Sequence, residues 1–190
     1  MTVRIDETPS ARVAPPTLRA KAIAVFAVAQ VAYMLWSALA RLTPIALEPW
    51  QQGMLGGFGM AVALAWAAFN AYAEGYRGFQ QRFSPRTVAR AAYLGENPRL
   101  LDLVLALPFS MGLYFAHRRQ LIVSWVAVIL IAGLVTVVKL LPQPYRGIID
   151  GGVVIGLGWG LVSLLASLVR YLATGETDDP ALPEGVAANA

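Results

Sequence analysis

The sequence predicts an all-α polytopic membrane protein. It reads as a bundle of about five transmembrane helices, with a cytoplasmic interfacial helical hairpin between spans two and three. Three observations carry this. The chain is 57% hydrophobic and only 14% charged, where soluble domains hold about 25% charged residues. Several apolar runs approach the ~20 residues that a helix needs to cross ~30 Å of hydrocarbon. The polar residues gather in short segments between those runs.

Residues 1–18 hold Pro9, Pro15 and Pro16 among small and polar residues, and read as a disordered tail. The first span is 22–40. A cleaved signal peptide is the competing reading, because "SALA" precedes Arg41, but the apolar region is longer than a signal core and is interrupted by Gln30. Residues 42–49, with Pro44 and Pro49, read as a loop. The second span covers 53–73. The third, 98–116, starts from Asn97 as a cap with Pro98 in the first turn, and carries Pro108 as a kink. "HRRQ" at 117–120 reads as a tight hairpin before the fourth span, 121–141. "PQPYR" at 142–146 is a turn before the fifth, 147–168. One domain therefore covers 19–172, and residues 173–190 form an acidic disordered tail.

Between spans two and three lies "AEGYRGFQQRFSPRTVARA", residues 73–91. Tyr72, Tyr76, Phe79 and Phe83 make one stripe on a 3.6-residue helix, with Glu74, Arg77 and Gln81 opposite. Gly75 and Gly78 permit a bend. Ser84 caps a new helix with Pro85 in its first turn, and Arg86, Arg90 and Tyr93 share a face of it. The expectation is two short helices lying on the cytoplasmic surface.

Orientation follows the lysines and arginines. Of 15 in all, Arg41, Arg118, Arg119 and Arg170 fall outside and the rest inside, when five spans start from a cytoplasmic N-terminus. That places the chain in a bacterial-type inner membrane with its C-terminus outside. Gly59, Ala63, Ala67, Ala71 and Gly75, and again Gly152, Gly156 and Gly160, recur every four residues. Such stripes let helices approach closely in lipid. Packing within the chain is favoured over a dimer interface.

Ionisable groups beside a bilayer are costly and are functional candidates by default. The candidate site is a cytoplasmic mouth built from Glu74, Arg77, Arg82, Arg86, Arg90, Asp102, Lys139, Arg146 and Asp150, with the arginines holding an anionic group by forked hydrogen bonds. The alternative is topology and local pairing: Glu74 with Arg77, Asp102 with Arg99, Asp150 with Arg146. Both readings stand at this level.

The chain has no cysteine and His117 is its one histidine, so disulfides, thiolate metal sites, cysteine nucleophiles and bis-histidine haem ligation are excluded. No phosphate loop, metal-spaced cluster or nucleophile elbow occurs, and no cofactor or metal is expected. Basic residues follow the membrane boundary, which argues against nucleic acid. The expected role is an accessory, scaffold or assembly subunit. Its partners would be anionic membrane lipid, a second copy or another membrane protein, met through small-residue faces and the arginine–aromatic hairpin. An oligomeric channel or small-solute transporter lined by Asp102, Lys139 and Asp150 is the alternative. A lipid-headgroup-modifying enzyme using Glu74, Asp102 or Asp150 ranks last.

Overall fold

The computed structural model describes residues 16–183, so the tail expected at 1–18 falls almost wholly outside the described residues. Its elements are α1 (Leu18–Gln51), α2 (Gly57–Asn70), a π-helical segment (Ala71–Phe83), α3 (Ser84–Glu96), α4 (Leu100–Val104), α5 (Ala106–Ser110), α6 (Arg118–Val138) and α7 (Tyr145–Thr174). All regular structure among the described residues is helical. Helices α1, α6 and α7 are long and apolar enough to cross a membrane. The chain is a membrane-embedded helical protein.

Four expectations change. First, 42–49 is not a loop, because α1 runs through Pro44 and Pro49 to Gln51. A proline inside a helix leaves the carbonyl four residues back without its donor. For Pro49 that carbonyl belongs to Ile45, and the Gln143 side chain donates to it at 3.2 Å. The same amide donates to Glu48 Oε2 at 2.7 Å, and Gln143 Oε1 accepts from Gly147 N at 2.9 Å at the start of α7. One glutamine thus repairs α1 and caps α7.

Second, no hairpin forms at Ser84–Pro85. Ser84 is helical, with φ −63° and ψ −48° and no capping bond, so α2, the π segment and α3 make one continuous rod. Pro85 has no N–H, and its ring clashes with the carbonyl four residues back in a tight α turn. The wider turn just before it, where Ser84 N bonds Phe79 O, relieves that clash. The wider turn also splits the aromatic stripe. Tyr72 and Tyr76 stack on the exposed face, whereas Phe79 and Phe83 pack against the core.

Third, 98–116 does not span. It contains two five-residue helices, each reaching about 7.5 Å at 1.5 Å per residue. Pro108 breaks this run: α4 ends at Val104, whose carbonyl would have taken the missing N–H. Asn97 closes α3, its N–H bonding Tyr93 O, rather than opening a new helix. The reversal into α6 uses the turns and bends of 111–116, and His117 Nδ1 caps α6 by accepting from Gln120 N at 3.3 Å. The expected tight hairpin at 117–120 is therefore a helix start.

Fourth, both ends of the described chain lie at one end of the bundle. Lys21 Nζ donates to Leu172 O at 2.9 Å, and Pro16 abuts Gly175. At the other end Gly147 meets Pro49. Helices α1 and α7 are therefore antiparallel. The rod runs parallel to α7: Trp66 and Asn70 lie on Gly152, Glu74 on Gly156 and Phe79 on Gly160. The α7 glycine stripe is consumed in this seam, the within-chain packing favoured from the sequence. We call the two ends the terminal end (Leu18, Glu96, Thr174) and the turn end (Gln51, Gly57, Tyr145).

The apolar core sits toward the terminal end, where α1 (Ala24, Val28, Val31), α3 (Val88, Ala91, Leu94), α5 (Phe109) and α7 (Leu164, Tyr171) meet. Helix α6 stands apart: only Gln120, Ser124 and Val138 of it are buried. Of the tail expected at 173–190, residues 184–190 lie outside the described residues. After Gly175 ends α7 in the left-handed conformation, residues 176–183 fold back and bury Ala181 and Leu182.

Close approach predicts a graded response to added methyl groups. A Cβ on Gly95 would strike the Ala20 main chain, whereas Gly158 and Gly133 face open space. Gly95→Ala should lower the detergent melting temperature by an amount equivalent to about 1–3 kcal/mol of overpacking. Gly158→Ala and Gly133→Ala should stay within about 0.5 kcal/mol of the parent. Thermal unfolding followed by circular dichroism reads all three.

Candidate functional site

The polar residues chosen from the sequence do not share one mouth; the structure places them at three levels. At the turn end, Arg146 and Asp150 form an ion pair at 3.6 Å within the first turns of α7, and Lys139 is exposed at the end of α6. Of the three local pairs expected, this is the one present among the described residues. Arg146 Nε and Asp150 Oδ2 are buried and make no hydrogen bond.

The middle level is the π-helical segment. Gly75 packs on the Trp159 ring, and Trp159 Nε1 donates to Gln80 Oε1 at 2.7 Å. Trp159 is at the midpoint of α7, so Glu74, Arg77, Gln80 and Gln81 lie at its mid-depth. Glu74 is half-buried over Gly156, while Arg77, Gln80, Gln81 and Arg82 are exposed on the outside of the bundle. Exposed Tyr72 and Tyr76 flank them toward the turn end. Glu74 and Arg77 make no ion pair. A guanidinium facing hydrocarbon at mid-depth costs about 2.5–3.5 kcal/mol on insertion scales. Arg82 lies nearer the terminal end than Arg77, and long side chains near a helix end snorkel more easily.

The third level, at the terminal end, centres on Arg90. It is 0% exposed, yet among the described residues its guanidinium meets no carboxylate. Nε donates to Phe109 O at 2.6 Å, Nη1 to Pro180 O at 3.0 Å, and Nη2 to both Tyr114 O and Phe115 O at 3.0 Å. The Phe109 ring lies under Cζ at 4.5 Å. A buried charge needs such a full set of acceptors, and only the planar fork of arginine reaches four carbonyls from one side chain. The knot joins α3 to α5, to the bends before α6 and to the C-terminal segment.

Around it, Arg86 Nη1 donates to Gln120 Oε1 at 2.6 Å, Gln120 Nε2 to Ser124 Oγ at 2.9 Å, and Ser124 Oγ to Met111 O at 3.2 Å. This chain fastens the root of α6. Asp102 is buried and accepts from the Tyr114 hydroxyl at 3.0 Å rather than pairing with Arg99, which stacks over Phe115 at 5.4 Å. Tyr114 lies outside the crossing helices. Its hydroxyl pKa is raised by burial first, then by the hydrogen bond and charge of Asp102, so it stays a donor at neutral pH.

Sequence reasoning found the charged members and missed their partners. Gln120 and Ser124, four apart at the head of an apolar run, were a legible polar pair. The carbonyls of Phe109, Tyr114, Phe115 and Pro180 carry no signal in residue type.

Arg90→Lys should not rescue Arg90→Met: both should lose several kcal/mol of stability, in the range of about 3–5 for breaking a buried charged network. Arg86→Met should lose less, about 1.5–3 kcal/mol for one charge-assisted hydrogen bond. Melting temperatures in one detergent order the three.

Comparison of the chain with protein-family models, with curated proteins and with solved structures finds no match.

Proposed function

We propose that this chain is an accessory or assembly subunit of a membrane complex, and that the mid-depth polar face of the π-helical segment is where it meets its partner. The single observation carrying this reading is Arg77, exposed at the midpoint of the bundle with Gln80 and Gln81 beside it. In lipid alone that face is unfavourable; against a polar or acidic surface of another membrane protein it becomes specific. The small-residue stripe of α7 is already filled within the chain, so the polar face replaces it as the contact surface. A helix turn widened at a charged segment is also a recurrent feature of functional sites.

Arg19, Lys21, Arg86, Arg90, Arg99, Arg118, Arg119 and Arg170 belong to the terminal end, against Arg41, Lys139 and Arg146 at the turn end. On the positive-inside rule the terminal end faces the cytoplasm of a bacterial-type inner membrane, where Arg86, Arg118 and Arg119 also suit anionic lipid headgroups. The rod then crosses as well, giving four crossings, and the C-terminus is cytoplasmic rather than outside.

Two measurements test this. Membranes from a host expressing the tagged chain, extracted in mild detergent, should yield a particle heavier than one copy of this chain. Arg77→Glu should release the partner while leaving helical content unchanged. A lone protomer of identical mass with and without Arg77 would overturn the reading. Separately, a C-terminal fluorescent-protein fusion should fluoresce, and a C-terminal alkaline-phosphatase fusion should be inactive; the reverse pattern would place the C-terminus outside.

A further inference from the structure

The segment 176–183 is tied down only at its far end. Pro180 O accepts from Arg90 Nη1 at 3.0 Å, Ala181 O accepts from His117 N at 3.3 Å, and Leu182 enters the core with 5% exposure. Nearer α7 its hold is slight. The Arg170–Glu176 pair is 3.7 Å long with both side chains about 70% exposed, and such pairs contribute little. Beneath Glu176, Thr177 and Asp178 a cavity of about 50 Å³ remains against Pro85, Val88 and Ser167.

Backbone strain is concentrated at the same place. Among the described residues, two that are not glycine have left-handed φ: Phe115 at 50° and Ala181 at 52°. An L side chain disfavours that conformation. Both flank the Arg90 guanidinium: Phe115 O is one of its acceptors, and Ala181 follows another, Pro180. Non-glycine strain persists only where surrounding contacts enforce it, and such strain clusters at switch regions. Here the contacts are Arg90 on Phe115 O and on Pro180 O, with Ala181 itself held by His117 N on its carbonyl and by its N–H on Asp179 Oδ1.

What the knot holds is α6. The root of the helix is tied to the rest of the molecule by His117 N on Ala181 O and by Gln120 on Arg86, and to the bends that precede it by Ser124 on Met111 O and Trp125 Nε1 on Leu113 O at 2.9 Å. Beyond that its apolar faces are open, Ile129, Leu130 and Ile131 each being more than 60% exposed. The bends at 111–117 are therefore a hinge, and Arg90 grips them on one side and the C-terminal strap on the other.

We infer that residues 176–183 are a releasable latch: seated on Arg90 and in the Leu182 pocket they help fix the pose of α6, and unseated they leave its root held by Gln120 on Arg86 and by its own bends, so that its pose loosens. Release takes Pro180 O from Arg90 and Ala181 O from His117 N, and Arg90 retains Phe109 O in α5 and Tyr114 O and Phe115 O in the bends. The latch is independent of what covers Arg77, since its readout lies within one chain.

The cysteine-free sequence makes the test direct. Spin labels on Ile129→Cys in α6 and Val162→Cys in α7, both outward-facing, report the α6–α7 distance by double electron–electron resonance in nanodiscs. The parent and a Leu182→Met control should give one narrow distribution. Leu182→Asp, and a chain ending at Gly175, should each broaden and shift it with helical content unchanged. Amide exchange at His117 should rise about tenfold or more in both. Unchanged distance distributions in both variants would overturn the inference. So would loss of helical content in both, because a segment that the bundle needs in order to fold is not a latch.

Discussion

The guanidinium of Arg90 in its cage of four carbonyls holds together the parts of this fold that helix packing alone would leave loose. The long helices can dock by shape: glycines of α7 receive Trp66, Glu74 and Phe79, and Gly95 lets α3 touch α1. The segment from α4 to the start of α6 has no such surface. Its helices are five residues long, too short to persist by themselves. They are ordered because a buried cation demands acceptors and the segment's own main chain supplies three of them. The fourth comes from Pro180, in the segment after α7. One charged side chain therefore sets the path of the polypeptide before α6 and after α7, and a carboxylate partner would have served this less well, since it would have satisfied the charge without recruiting the backbone.

Proline governs the other departures from regular geometry, each time through the carbonyl it strands. At Pro49 the stranded acceptor is taken by Gln143, and the helix continues. At Pro85 the preceding turns widen, and the rod continues. At Pro108 no repair is at hand, and the helix splits. The same residue type thus gives continuation, widening or rupture according to what lies nearby in space. Along 71–83 Phe79 packs against the core and Glu74 lies over Gly156, while Arg77 and Gln81 stay exposed on the outside of the bundle.

Membrane embedding and helical class were legible in the sequence, because they depend on composition and on run length, which need no partner. The close-packing role of Gly152, Gly156 and Gly160 was legible for the same reason: spacing alone puts them on one face. The site was legible only as a set of residues. Arg90 and Arg86 stood out as charges, but nothing marked Arg90 as buried and Arg77 as exposed. The difference lies in the main-chain acceptors that surround Arg90 and in their absence around Arg77 among the described residues.

The sequence by itself determined that the chain partitions into lipid as helices and that their charges must be managed near the boundary; transfer free energy decides that residue by residue. Only the tertiary structure decided which of the apolar runs form helices long enough to cross, which end of the bundle each charge occupies, and where residues 176–183 go. Those outcomes rest on main-chain acceptors: Ile45 O for Gln143, and the carbonyls of Phe109, Tyr114, Phe115 and Pro180 for Arg90. Every residue carries such a carbonyl, so its use is decided by where the backbone stands and not by which amino acid bears it.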